Sequence, residues 1–106
     1  ISFALGSAQL DDNALAKIPD VARTLLRMKN PVTLVGHTDD SGDDARNLAL
    51  SKQRSEAVRK VLVEAGISAE RLSTRAAGKN EPLAQGGGFG DSLNRSVTIE
   101  WQQAQE

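Results

Sequence analysis

A long helical pattern in the middle of the chain, from about Asp43 to Ala65, constrains the fold more than any other feature. Apolar residues recur there at steps of three and four, which gives a helix one apolar face: Leu50, Ala57, Val58, Val61, Leu62 and Ala65. Gly66 follows, a residue that readily caps a helix end. The β-branched run "VTLVG" shortly before the pattern is typical of a strand, so we expect the helix to cover a sheet.

The other elements follow from the same kind of periodicity. A first helix is predicted from Asn13 to Met28, with Asp11 or Asp12 as its cap, and Pro31 disfavours its continuation. The segments "ISFAL", "RLSTRAA" and "RSVTIEW" read as strands. The predicted fold class is α+β, a β-α-β-α-β-β sandwich in which two main helices pack on one face of a mixed four-stranded sheet. We expect residues 1–101 to form one domain and residues 102–106 to form a disordered tail.

Composition excludes several functions. A net charge of −1 and three aromatic residues among 106 argue against nucleic-acid binding. No cysteine is present, which excludes thiol catalysis, disulfides and cysteine-ligated zinc. No apolar run approaches the roughly 20 residues that span a bilayer. The chain begins at Ile1 rather than Met, so we interpret it as an excised domain whose membrane attachment would come only through segments outside it.

The acidic stretch "GHTDDSGDDARNLALSKQR" does not match the sequence patterns of known metal sites and catalytic sites. It lacks the glycine and the final glutamate of a calcium loop, and His37 is the only histidine, too few for catalytic zinc. No nucleophile elbow accompanies His37. We therefore predict no metal, no cofactor and no enzymatic activity, and expect His37 to be a strand-end residue bonded to backbone. Asp40, Asp43 and Asp44 are expected at the turn and helix start.

Two residues of opposite charge remain in this stretch. Asp39 follows the second strand, and Arg54 lies fifteen residues later within the long helix. If the helix packs back on the sheet, both side chains can face one pocket. The pair then suits a zwitterion, because a carboxylate binds an ammonium and a guanidinium binds a carboxylate. A plain Asp39–Arg54 salt bridge is the alternative, and spacing alone leaves both open.

The same stretch resembles the signature of the OmpA-like C-terminal domain family, which includes the peptidoglycan-associated lipoprotein and the periplasmic domain of the stator protein MotB. The signature is matched at nine positions: Gly36, His37, Thr38, Asp39, Gly42, Asn47, Leu50, Ser51 and Arg54. Further matches are "FALGSAQL", Gly66-Ile67 with Arg71-Leu72, Glu81-Pro82, and Asn94, Arg95 and Val97 of the closing motif. The resemblance covers nearly the whole chain.

The resemblance implies non-covalent binding of peptidoglycan through the diaminopimelate residue of its stem peptide. Carried over, Asp39 would pair with the ligand ammonium and Arg54 with its carboxylate. Thr38 and Asn47 match positions that contact the ligand or shape its pocket. Gly6 matches a position near the pocket where only backbone could contribute, and Arg95 matches the first arginine of the closing motif. The implied location is the periplasm, within a membrane-anchored or outer-membrane-associated protein.

Two departures support a second hypothesis. Ser96 stands in place of the second arginine of the closing motif, and Asp91 follows Gly90 where the family commonly has arginine. The basic rim is therefore thinner. The alternative is an envelope interaction or assembly module of the same fold with weakened or lost peptidoglycan binding, which would contact envelope proteins or form a homodimer.

Overall fold

The computed structural model describes residues 1–4, 7–38, 43–78 and 95–101. The predictions for Gly6, Asp39, Asp40, Asp91 and the tail at 102–106 lie outside these ranges. The described elements are α1 (Asp12–Leu26), β1 (Val32–His37), α2 (Asp44–Glu64), a short 3-10 helix (Ala69–Arg71), β2 (Leu72–Gly78) and β3 (Val97–Trp101). Within the described ranges, no helix has the length and apolar composition needed to cross a lipid bilayer.

Both main helices begin at an aspartate, as the sequence predicted. The Asp11 side chain accepts a hydrogen bond from the amide of Ala14 at 2.8 Å. The Asp43 side chain does the same for Arg46 at 2.8 Å. Each carboxylate satisfies an amide that has no partner within the helix, and its charge suits the positive end of the helix dipole.

Pro19 lies inside α1, within the helix that the apolar pattern predicted from Asn13 to Met28. Proline has no amide hydrogen, so the carbonyl of Leu15 loses its helical donor. Pro19 is exposed and Leu15 is 44% exposed. The break in the hydrogen-bond ladder therefore faces solvent, where water can replace the missing donor.

The described sheet has three strands in the order β2-β1-β3. Strand β1 pairs in parallel with β2 and antiparallel with β3, so the sheet is mixed, as expected. The predicted first strand is described only as an isolated bridge between Ser2 and Ser96. The amide of Phe3 donates to Arg95 at 2.6 Å and the amide of Val97 donates to Ile1 at 2.8 Å, along the free edge of β3. A fourth strand is therefore not confirmed, because so short a pairing does not form a ladder.

Helices α1 and α2 share one core with one face of the sheet, and this part of the predicted α+β fold is confirmed. The core cluster takes members from every main element: Phe3, Ile18, Ala22, Leu25, Val32, Leu34, Val58, Leu62, Ile67, Leu72 and Val97. Val32 and Leu34 alternate along β1 and are opposite Leu72 and Thr74 in β2, so they share a face of the sheet.

The buried face of α2 differs from the predicted apolar stripe. Of its predicted members only Val58 and Leu62 are buried, and Ala65 is exposed. The first half of the helix buries polar residues instead: Asn47, Ser51, Arg54 and Ser55. The apolar pattern missed this half, because a polar side chain can be buried where hydrogen-bond partners exist.

Close contact between α2 and β1 explains why the first half of α2 buries polar residues. A Cβ on Gly36 would lie 1.9 Å from the carbonyl oxygen of Ser51, so only glycine fits there. The Ser51 hydroxyl donates to the carbonyl of Leu48 at 2.9 Å and accepts from the amide of Gly78 at 3.0 Å. Helix α2 is thus joined to the carboxyl ends of both parallel strands.

Candidate functional site

Arg54 lies at the centre of the candidate site and is fully buried. Its Nε donates to the carbonyl of Ser7 at 2.8 Å, Nη1 to His37 at 2.9 Å and Nη2 to Ala4 at 3.1 Å. The guanidinium carbon lies 5.3 Å from the centroid of the Phe3 ring, within the range of a cation–π contact. The positive charge is therefore held in one orientation at the carboxyl end of β1.

Burial of this charge is compensated by geometry. A guanidinium is more weakly hydrated than an ammonium and carries five N–H donors in a rigid plane. Carbonyl dipoles from three separate positions receive three of these donors. A hydrogen bond is electrostatically stronger in such an environment of low dielectric constant than in water.

Asn47, Ser51 and Arg54 lie on the same face of α2. Ser51 follows Asn47 by four residues, and Arg54 follows Ser51 by three. Asn47 is 5% exposed. The structure therefore places two of the predicted site residues, Asn47 and Arg54, on one buried face that points at the sheet.

Thr38 is the next residue after His37, whose carbonyl binds Arg54. Its amide donates to the carbonyl of Gly78 at 2.8 Å. Its hydroxyl is buried and has no hydrogen-bond partner among the described residues. An unsatisfied buried hydroxyl costs on the order of 1–3 kcal/mol. This atom is therefore a candidate for contact with a ligand at the strand end.

Arg95 is partly buried beside the same N-terminal segment. Its Nε donates to the carbonyl of Phe3 at 3.4 Å, a long hydrogen bond. Phe3 thus contacts both arginines, through its ring and through its backbone. The structure brings together Thr38, Asn47, Arg54 and Arg95 around the carboxyl end of β1 and the N-terminal segment.

Asp39 and Gly6, two of the predicted site residues, lie outside the described residues. In the sequence, Asp39 is the second residue after His37, and Gly6 directly precedes Ser7. The carbonyls of His37 and Ser7 both accept hydrogen bonds from Arg54.

His37 itself is buried, and its ring Nε2 lies 2.9 Å from the hydroxyl of Thr98. This partner is a side chain, and the expected hydrogen bond to backbone stays a prediction. Val35 of β1 is opposite Thr98, so the contact lies on the sheet face away from the helices. Among the described residues, no three His, Cys, Asp or Glu side chains form a group that could hold a metal ion.

Sequence reasoning missed the groups that hold Arg54. The carbonyls of Ala4, Ser7 and His37 have no signature in the residue types, because every residue has a carbonyl. The Phe3 ring and the Ser51 hydroxyl could have been found. Ser51 shares a helix face with Asn47 and Arg54, and a polar residue repeated at that spacing indicates a polar buried stripe.

Similarity to known proteins identifies the family of this domain. The model of the OmpA family matches residues 2–94. The chain belongs to the OmpA family. The resemblance read from the glycine-histidine-threonine-aspartate signature is thereby confirmed.

Three relatives illustrate the similarity. The outer-membrane lipoprotein YfiB of Pseudomonas aeruginosa is 42% identical over 107 residues, which covers 92% of this chain and 64% of YfiB. The crystal structure of the peptidoglycan-associated lipoprotein from Burkholderia pseudomallei has a TM-score of 0.87 at 28% identity and covers 96% of this chain and 88% of that one. The C-terminal domain of Helicobacter pylori MotB shares the fold, with a TM-score of 0.88 at 21% identity, over 97% of this chain and 83% of that one.

The chain spans less than two thirds of the length of curated relatives such as YfiB and outer membrane porin F. The similarity therefore concerns one domain that is shared by larger envelope proteins.

Proposed function

We propose that this OmpA-family domain binds cell-wall peptidoglycan non-covalently through the diaminopimelate residue of the stem peptide, and so tethers a periplasmic envelope protein to the wall. The names of its relatives support association with the wall and the outer membrane. The observation that carries the proposal is the Arg54 guanidinium, which is fixed at the carboxyl end of β1 by three carbonyls.

The free end of diaminopimelate is a zwitterion, and the site supplies both complementary charges. Arg54 provides the cation for the ligand carboxylate. Asp39, the second residue after His37 in the sequence, provides the anion for the ligand ammonium. Thr38 and Asn47 add hydrogen bonds, Arg95 adds a second cation, and Gly6 contributes backbone.

Burial of Arg54 has a consequence for binding. Because the guanidinium is fully buried in the unliganded chain, a carboxylate reaches it only when neighbouring groups move aside. We therefore expect the amides of Ala4, Ser7 and His37 to respond to the ligand together with Thr38 and Asn47.

The expected affinity is modest. A hydrogen bond to a charged group contributes about 1.5–3 kcal/mol net. Two such contacts with a few neutral bonds place single-site binding at about micromolar to millimolar. The wall is a polymer with many sites, so avidity can make weak contacts sufficient.

The test is a titration of the isotope-labelled domain with a disaccharide-tripeptide that ends in diaminopimelate, followed by amide shifts. We expect shifts at Thr38, Asn47 and the amides around Arg54. An otherwise identical muropeptide with lysine in place of diaminopimelate lacks the side-chain carboxylate and should bind much more weakly. Asp39→Asn should abolish the shifts, and Asp20→Asn on the exposed surface of α1 is the matched control. No shifts at millimolar ligand would rule out the proposal.

One observation favours the alternative of an assembly module with reduced wall binding. Ser96 stands where the resemblance places an arginine, and its side chain is buried, with a hydroxyl that has no partner in the described part of the chain. The site therefore lacks one rim cation. Sedimentation of the domain with purified wall sacculi distinguishes the two: pelleting supports wall binding, and a stable dimer without pelleting supports the alternative.

A further inference from the structure

Leu48 is an exposed apolar residue beside the candidate site. It follows Asn47 in the second turn of α2 and is 40% exposed. A single exposed leucine is ordinary on a protein surface. Leu48 differs from the exposed leucines of α1 because it lies beside the candidate site.

Leu48 rests directly on Gly78, the last residue of β2. Its Cδ2 lies 3.1 Å from the point that a Cβ of residue 78 would occupy. Gly78 has a φ of +58°, a conformation that favours glycine, and so leaves this space to the leucine.

Gly78 also connects Leu48 with the polar part of the site. The Gly78 carbonyl accepts from the amide of Thr38 at 2.8 Å, and its amide donates to the Ser51 hydroxyl at 3.0 Å. That same hydroxyl donates to the carbonyl of Leu48 at 2.9 Å. The backbone of Leu48 is thus connected to Thr38 through two residues, Ser51 and Gly78, and its exposed side chain lies against Gly78.

We propose that Leu48 is a specificity-determining residue that packs against the methylene chain of the bound diamino acid. The inference rests on the proposed function. Diaminopimelate separates its two amino-acid ends by three methylene groups, and the charged groups of the site recognise one end only. An exposed leucine on Gly78, whose carbonyl accepts from the Thr38 amide, supplies the contact that the hydrocarbon needs in order to leave water.

The test measures Kd for the diaminopimelate disaccharide-tripeptide by titration calorimetry or amide shifts. Leu48→Ala should weaken binding about five- to tenfold, because it removes an apolar contact of between one and two methylene groups. Leu48→Met, which restores apolar length, should recover binding to within about twofold of the original. Leu15→Ala on α1, where the leucine is 44% exposed, is the matched control and should change nothing.

Failure of this inference and failure of the proposed function give different results. If the unchanged domain binds and Asp39→Asn abolishes binding while Leu48→Ala binds like the original, the role of Leu48 is overturned and the proposed function stands. If the unchanged domain does not bind the muropeptide at millimolar concentration, both fall. Thermal unfolding of Leu48→Ala confirms that any loss is not a loss of fold.

Discussion

Arg54 joins three segments of the chain with one side chain. It belongs to α2 and bonds to Ala4, to Ser7 and to His37 at the end of β1. A residue with this many connections is structural as well as functional, because the bonds that orient its charge also hold the N-terminal segment in place.

Arg54→Lys should therefore lower stability although it keeps the charge. An ammonium is a compact point charge and cannot reach three carbonyls that a planar guanidinium bridges. We expect a loss of about 2–4 kcal/mol in the free energy of unfolding. Urea titration followed by circular dichroism measures it. Arg46→Lys, at an exposed position of the same helix, is the control, and an equal loss in both variants would contradict the assignment.

Thr38→Val should separate binding from stability. The Thr38 hydroxyl is buried and no described residue bonds to it, so replacing it with a methyl group should leave stability unchanged or raise it by about 1 kcal/mol. The same variant should weaken muropeptide binding about three- to tenfold, the equivalent of one neutral hydrogen bond. Urea unfolding and ligand titration check the two effects.

Ser96→Ala is the control for this variant, because its hydroxyl is also buried and unbonded. It should match Thr38→Val in stability and leave binding unchanged. A loss of more than about 1 kcal/mol in Thr38→Val would mean that the hydroxyl has a partner in the unliganded protein.

At the scale of elements, the site depends on how closely α2 approaches β1. The Ser51 carbonyl occupies the space that any side chain at position 36 would need. This contact, together with the hydrogen bond from Gly78 to Ser51, sets the height of the helix above the sheet. The buried polar residues on either side of Ser51, Asn47 and Arg54, consequently face the sheet near the strand ends.

Gly36→Ala should disrupt this packing. The added methyl group meets backbone that cannot rotate away, so we expect a loss of about 3 kcal/mol or more, at or beyond the upper end for overpacking. Gly66→Ala is a useful comparison, since no atom lies near its added methyl group and the cost is only that of a positive φ, about 1–2 kcal/mol. Denaturant unfolding compares the two, and a smaller loss at Gly36 than at Gly66 would refute the packing argument.

Across the whole molecule, one core connects both helices with all three described strands. No part of the described chain has a separate apolar cluster large enough to remain folded alone. The packing of the entire domain therefore holds the site residues in place.

The domain should accordingly unfold in one cooperative step. Trp101, the single tryptophan, reports on β3, and circular dichroism reports on the helices. Their urea transitions should coincide. Leu62→Ala in α2 should cost about 2–5 kcal/mol and shift both signals equally. Separate midpoints for the two signals would show that strand and helices unfold independently.

The family signature and the order of helices and strands could be read from the sequence because they depend on neighbours along the chain. The caps at Asp11 and Asp43 are hydrogen bonds across three residues, and the strand and helix periods are local as well. The number of strands was harder to predict, because pairing of residues 1–3 with the edge of β3 depends on segments more than 90 residues apart.

The sequence by itself determined the elements, their order and the residue types from which the site is built. Only the tertiary structure decided that Arg54 is buried, that three backbone carbonyls bind it, and that the Thr38 hydroxyl has no partner within the described ranges. The physical reason is that burial and hydrogen bonding depend on which distant backbone groups meet a side chain. Carbonyls are common to every residue, so no pattern of residue types records them.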